Sequence, residues 1–403
     1  MSLFRIGFLP LVDACLPIVA REFGHAQAEG LTVELVRDRT WAAVRDRLSS
    51  GHTDAAHLVA PLAIAMTLGL DRPPVPIAAP FMLCLNGNTI TTSSTLAAEI
   101  GMGLHDDIAD LGLRLAQVAK AHKALGRKLR FAVVHRYSSH NYMLRYWLAA
   151  CGCDPDRDID ITVVPPPLIA DAFAAGEIDG SCVGEPWNSL AVENGDGAII
   201  TTTSRIWSRG VEKILALRTA VLEERRAETE ALLRALYAAG RFAKNPAHRA
   251  EVTALLARPE YIGVPAPIIE RALSGHLVAQ AGSEAVKVPD FLVLHKEAAN
   301  FPWRSQAMWL YSQMARWGHA PASAEGFAKA ATIFRPDVYR AAFAGTDAAL
   351  PGASAKVEGA IAAPLAIGSP SGRLVLGPDR FFDGRQFDPD QPMEYLAQNL
   401  KKP

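Results

Sequence analysis

The sequence predicts an α/β protein built as two α/β lobes with an interlobe cleft. Short apolar strands alternate with helical patterns from the first residues onward, the βαβ rhythm of a mostly parallel sheet covered by helices. That rhythm is interrupted near residues 78–92 by strand, polar turn and strand, and restarts at residue 129. The polar loops fall where strands give way to helices, the place where open α/β sheets hold their ligands.

Phe4–Leu9 is the first strand, and residues 11–23 follow with Val12, Cys15, Leu16, Val19, Ala20 and Phe23 at helical spacing. Leu31–Val36 is strand-like, residues 42–49 are helical, and Asp54–Ala60 is a third, buried strand. Ala78–Thr92 carries the turn Asn86-Gly87-Asn88 and reads as the crossing between lobes. Residues 106–125 are helical despite Gly112, Leu129–Val134 is a strand, and residues 141–150 are a compact helix behind the polar loop His135–His140. Ile161–Val164 meets three prolines and a short helix, then Cys182-Val183 runs into Gly184-Glu185-Pro186-Trp187. This last loop is rigid, polar and aromatic. Gly184 permits close backbone approach, and Pro186 stiffens the loop while removing a donor.

Ala198–Thr203 and Ile214–Leu217 are strands. Residues 221–242, 246–256 and 266–279 are helical, and 304–317 form an amphipathic helix. Beyond about 340 the chain is rich in Ala, Gly, Pro and Ser and reads as an extended tail, partly ordered by Leu374, Val375, Leu376, Phe381, Phe382 and Phe387. The expected division is a discontinuous first lobe of residues 1–88 and 210–340, a second lobe of 89–209, and a C-terminal segment, 341–403, packed on both.

With 403 residues and 50% hydrophobic content, the chain supports at least two real cores. A formal charge of −1, from 41 Lys and Arg against 42 Asp and Glu, argues against direct contact with nucleic acid. The five cysteines read as buried free thiols, and the Cys151-Gly-Cys153 spacing is too close for a zinc or redox loop. No apolar run is long enough to insert in a membrane. The opening MSLFRIGFLP reads as a strand rather than a leader, so the expected place is the cytoplasm, or the periplasm if a leader is missing from this sequence.

No Gly-x-Ser-x-Gly, P-loop, dinucleotide fingerprint or HExxH is present, and the expectation is a chain that is not an enzyme, with no cofactor and no metal. Asp13, Asp38, Asp46 and Asp54 are scattered and need not pair. Trp41 is either a packing residue or a flat wall with one N–H donor for a planar anion. His140, after Ser138 and Ser139, either caps a helix or faces the cleft beside free helix N–H groups. Lys213 is either a surface charge paired with Glu212 or the single positive charge of an anion site. Glu185 would repel an anion if it faced inward, so it is expected to organise neighbouring donors.

Taken together, Pro10–Asp13, Thr40–Asp46, Asp54–Pro61, Asn86–Asn88, Ser139-His140, Leu144–Ala150, Val164–Pro167, Val183–Asn188, Glu212-Lys213, Phe301-Pro-Trp, Gln313–Gly318 and Phe387–Pro389 resemble the nitrate- and bicarbonate-binding proteins of ABC uptake systems. Within that family the resemblance is placed with cytoplasmic nitrate and nitrite sensors. It covers nearly the whole chain and implies a type II periplasmic-binding-protein fold closing on one small oxyanion. By family role the ligand-facing positions are Trp41, Asn88, His140, Gly184, Glu185 and Lys213, supported by Ser138, Ser139, Pro186 and Trp187. Asn88 stands where nitrate binders tend to carry glutamine, shorter by a methylene but retaining an amide donor. Lys213 favours the nitrate type, since bicarbonate relatives tend to place an acidic residue there and recruit calcium.

The resemblance further implies a sensor that sequesters an ANTAR-type antiterminator until nitrate or nitrite releases it, by differential binding of two states. The alternative is the substrate-binding component of a nitrate, nitrite or bicarbonate ABC importer.

Overall fold

The computed structural model describes residues 1–348, 350–370 and 374–400. Its framework is ten strands: β1 (Ser2–Phe8), β2 (Leu31–Arg37), β3 (Ala55–Val59), β4 (Ile77–Asn86), β5 (Asn88–Ser93), β6 (Leu129–Val133), β7 (Ile159–Val163), β8 (Gly180–Gly184), β9 (Gly197–Thr202) and β10 (Val211–Arg218). One sheet has the order Leu292–Val293, β4, β10, β3, β1, β2, and the other β7, β6, β8, β5, β9. This is the type II periplasmic-binding-protein architecture of two α/β lobes.

Each sheet is parallel on one side and antiparallel on the other. β1 runs parallel to β2 and β3, and β6 parallel to β7 and β8. β10 opposes β3 and β4, and β5 opposes β8 and β9. The expectation of mostly parallel sheets fails at these two strands for one reason: they are where the chain passes between sheets. At β5 a single residue, Gly87 at φ 94°, follows β4 and leaves no room for a crossover helix; β10 is reached from β9 through residues 203–210, which hold only the four-residue helix Thr203–Ile206. All ten residues of β4 and all five of β3 are buried, which matches their unbroken apolar runs.

The predicted helices mostly form, with breaks at identifiable points. Residues 106–125 give Ile108–Ala124, and Gly112 is tolerated because a Cβ there would lie 2.3 Å from Cys151 Sγ. Residues 221–242 divide at Arg225 into Thr219–Glu224 and Arg226–Lys244. The expected helix 266–279 stops at Ser274, where left-handed Gly275 turns the chain into the strand His276–Val278. Arg304–Arg316 is less amphipathic than its spacing suggested. It packs against Ala60–Leu68, Ser139–Ala150, Ala324–Ile333 and Pro392–Asn399, so even Ser305, Gln306, Ser312 and Gln313 are buried.

The C-terminal segment is more structured than an extended tail. It carries the helix Pro392–Asn399 and the pair Leu365–Ile367 with Leu374–Leu376. Its Phe381 stacks on Trp207 at 4.9 Å and on Trp309 at 5.2 Å. Trp207 lies on the return from β9 to β10, so the segment is fastened to the connection between the sheets. Burying one such aromatic contributes about 2–3 kcal/mol.

Candidate binding site between the two sheets

Both crossing strands bring polar residues to the same point. Asn88 opens β5 and pairs with Gly184, the last residue of β8. Glu212 and Lys213 lie at the start of β10, with Lys213 opposite Val59 and Cys84. Trp41 is the first residue of the helix Trp41–Ser50, whose cap Thr40 accepts from the Ala43 N–H at 3.1 Å. His140 is the second residue of Ser139–Ala150, capped by Ser138 accepting from Asn141 N–H.

At the centre is Lys213, with no exposed surface. Its Nζ lies 2.8 Å from Asp13 Oδ2 and 2.7 Å from Glu212 Oε1, and 5.4 Å from the centroid of the Trp41 ring. His57 Nε2 lies 2.8 Å from Asp13 Oδ1, and the His57 ring is 5.3 Å from that of Trp41. Asn88 Nδ2 donates to Glu212 Oε2 at 2.7 Å. His140 Nε2 is 3.4 Å from Glu212 Oε1 but makes no hydrogen bond.

These contacts revise several readings. Lys213 is not a surface charge. Asp13 is not a stray carboxylate, and Asp38, Asp46 and Asp54 also find partners, in Arg47, Arg45 and Arg225. Asn88 commits one N–H to Glu212, which fixes the amide orientation because a carboxylate can only accept. Its Oδ1 is left unpartnered. A Cβ on Gly184 would come within 3.3 Å of both that oxygen and Asp13 Oδ2, so the backbone is brought close to the cluster.

Glu185 is turned aside. Its Oε1 accepts from Thr89 Oγ1 at 3.3 Å and its Oε2 from the Ser189 N–H at 3.2 Å. The Glu185 carbonyl accepts from Val12 N–H at 2.9 Å, and the Trp187 indole donates to the Pro10 carbonyl at 2.9 Å. The Gly184–Trp187 loop is therefore a strap between the sheets, and the Glu185–Pro186 bond within it is cis. The loops around Asp71 and Tyr137 also meet, through a 2.7 Å hydrogen bond from the Tyr137 hydroxyl. A groove of about 570 Å³ beside that contact includes Arg45, Arg72 and Arg136 and lies apart from Lys213.

The electrostatics follow from burial and pairing. Burial opposes every charge here. For Lys213, Asp13 and Glu212 overcome it and push the ammonium pKa up. For Asp13, Lys213 and His57 overcome it and hold the carboxyl down. Glu212 is likewise lowered, by His140 and Lys213 acting against burial. Burial wins at His140, down to about 4, and also lowers His57. It wins at Glu185 too, pushed up to about 6 despite Ser189 and Thr89.

Several buried polar atoms remain without a protein partner: Trp41 Nε1, His57 Nδ1, Asn88 Oδ1 and both ring nitrogens of His140. Unpaired polar atoms are costly in a protein interior, and their concentration around one ammonium is what a site for a small polar ligand requires. Asp13, His57 and Glu212 were missed as site residues. The first two lie in the stretches Pro10–Asp13 and Asp54–Pro61 that carry the resemblance, but pairing across 44 residues leaves no local signature. Among the described residues, no group of three or more His, Cys, Asp or Glu is arranged to hold a metal ion.

The NMT1-like family model matches residues 2–257. The nitrate import ATP-binding protein NrtC of Synechocystis is 35% identical over 336 residues, covering 83% of this chain and 49% of that protein. The chain thus spans about half of that relative's length. The nitrate/nitrite binding protein NrtA of Synechococcus elongatus is 30% identical over 402 residues, 97% of this chain and 84% of that protein. The crystal structure of the periplasmic nitrate-binding protein NrtA from Synechocystis superposes with a TM-score of 0.86 at 26% identity, covering 100% of this chain and 99% of that one.

These relatives correct the functional expectation. They are transport components, and the structural neighbour is periplasmic, so the cytoplasmic sensor reading, its antiterminator partner and its cytoplasmic place are withdrawn. The same transport relatives agree with a chain that is not an enzyme. With a family model covering residues 2–257 and a relative 30% identical along nearly the whole sequence, this chain belongs to the NMT1-like family.

Proposed function

We propose that the chain is the periplasmic substrate-binding component of a nitrate or nitrite ABC importer, holding one anion between its lobes. The observation that carries this is the buried Lys213 ammonium beside Trp41, in a cluster where Trp41 Nε1 and both His140 nitrogens lack protein partners. Nitrate is flat, singly charged and only accepts hydrogen bonds, so N–H donors and one ammonium suit it. In this reading Lys213 supplies charge, Trp41 a wall and a donor, and His140 a ring nitrogen. Asn88 offers its remaining amide N–H, and Gly184 offers close backbone approach. Glu185, Pro186 and Trp187 shape the strap, while Ser138 and Ser139 set the helix start that carries His140. The similarity to the two NrtA proteins supports the same ligand class.

Calorimetry with nitrate, nitrite and bicarbonate tests the reading. Saturable one-site binding of nitrate or nitrite is expected. No heat with either at millimolar concentration would sink it.

A further inference from the structure

The cluster's charge count creates a problem that the proposed function must solve. Asp13 and Glu212 are both within 2.8 Å of Lys213, so the ammonium is already over-compensated. With both histidines neutral, the three side chains sum to −1. Glu185 lies at full burial on the adjoining strap and adds further negative charge when ionised. A monovalent anion entering this group would meet net repulsion where burial leaves little water to screen it. Cys84 and Cys182 are the other titratable groups near the cluster, and burial pushes both thiols well up, so they stay neutral.

The cluster also contains the means of correcting this count. His140 has no exposed surface and both its ring nitrogens lack hydrogen-bond partners. Nε2 is 3.4 Å from Glu212 Oε1, close enough to become an ion pair once the ring is charged. His57 is placed differently, with Nε2 already held by Asp13. Resting on the anion-binding reading above, we propose that His140 is a specificity-determining residue that enters the complex as an imidazolium, so that each anion is captured together with one proton. The proton comes from solvent and resides on His140, giving free protein, anion and proton on one side and the ternary complex on the other. The charged ring then donates on one side to Glu212 and on the other to the anion. Two charged donors and an indole N–H favour an anion that only accepts over one that carries its own proton.

In the free protein, burial holds His140 down to about 4. An adjacent anion favours the charged ring and raises it. The bound state therefore takes up a proton between the free and bound values, and affinity falls as pH rises through that window, by at most about tenfold per pH unit for one proton.

Calorimetry on the full chain with potassium nitrate, in phosphate and in Tris at pH 7, reads the proton directly, because the two buffers release different heats. The expected result is uptake approaching one proton per nitrate and a Kd that weakens about tenfold per unit from pH 6 to pH 8. His140→Gln should bind nitrate more weakly with the uptake abolished. Imidazole nitrogen shifts of His140 in the unmutated protein should move to charged values on adding nitrate. Nitrate binding with buffer-independent heat and a flat pH profile overturns the coupling but leaves the anion-binding reading intact. Uptake that survives His140→Gln overturns the assignment. No binding of nitrate or nitrite at all overturns both.

Discussion

Among the described residues, two lysines are each set between two buried carboxylates, Lys213 fully buried and Lys356 partly exposed, and they end in different states. Lys213 lies between Asp13 and Glu212 where the sheets meet. Lys356 lies between Glu358 and Asp379 in the C-terminal segment. Around Lys356 the hydrogen bonding is filled: Glu358 also accepts from Ser305, Asp379 from the Ile361 N–H, and Ser305 from the Lys356 N–H. Around Lys213 an indole N–H, an amide oxygen and three imidazole nitrogens remain open. Similar charge triads thus serve as a staple in one place and a candidate site in the other. The number of unsatisfied neighbours separates them; the ion pairs do not.

The sharpest way to break that comparison is to remove each lysine. Lys356→Met leaves two buried carboxylates facing each other and should cost roughly 3 kcal/mol or more of stability in urea denaturation, with nitrate affinity unchanged. A large loss of affinity would mean the two regions are not separate. Lys213→Met should weaken nitrate binding by about 2–4 kcal/mol in calorimetry. Unaltered binding would show that the anion's charge is met elsewhere.

His140→Gln is expected to lose about 1.5–3 kcal/mol of affinity, the range for a bond to a charged group; a value near zero removes it from contact with the ligand. Glu185→Gln probes the strap. Its folded-state pKa is raised to about 6 by burial. Its neutral form is thus the stabilised one, fully present below the unfolded value near 4.5 and lost as pH rises through about 6. The variant should remove a decline on the order of 1–2 kcal/mol in unfolding free energy across that window. A decline of unchanged size would place it in other groups. Trp41→Phe keeps the ring and deletes one neutral donor, for a loss of about 1 kcal/mol in nitrate affinity.

Much of the fold was legible because apolar periodicity is local. β3 and β4 are continuous apolar runs, and the helices Ser139–Ala150 and Arg226–Lys244 carry helical spacing. What escaped was strand direction: β5 and β10 reverse where the chain crosses between the sheets, β5 after the single residue Gly87 and β10 after the longer return from β9. The helix end at Ser274 escaped because Gly275 could equally have continued as loop or helix. Of the ligand-facing positions that the resemblance implies, Trp41, Asn88, His140, Gly184 and Lys213 lie together, while the Glu185 carboxylate is held by Thr89 and Ser189. Asp13, His57 and Glu212 were not picked out, because a carboxylate's partner is a matter of distance in space.

By itself the sequence determined the alternation of strands and helices, the two lobes, and the residue types available for holding a small anion. Those follow from periodicity and side-chain chemistry, which are properties of neighbours along the chain. Only the tertiary structure decided the charge balance. It joined Asp13 to His57 and Lys213, drew Asn88 onto Glu212, and turned Glu185 aside to Thr89 and Ser189. The reason is that burial magnifies every charge and makes each partner count, and burial exists only once the sheets have met.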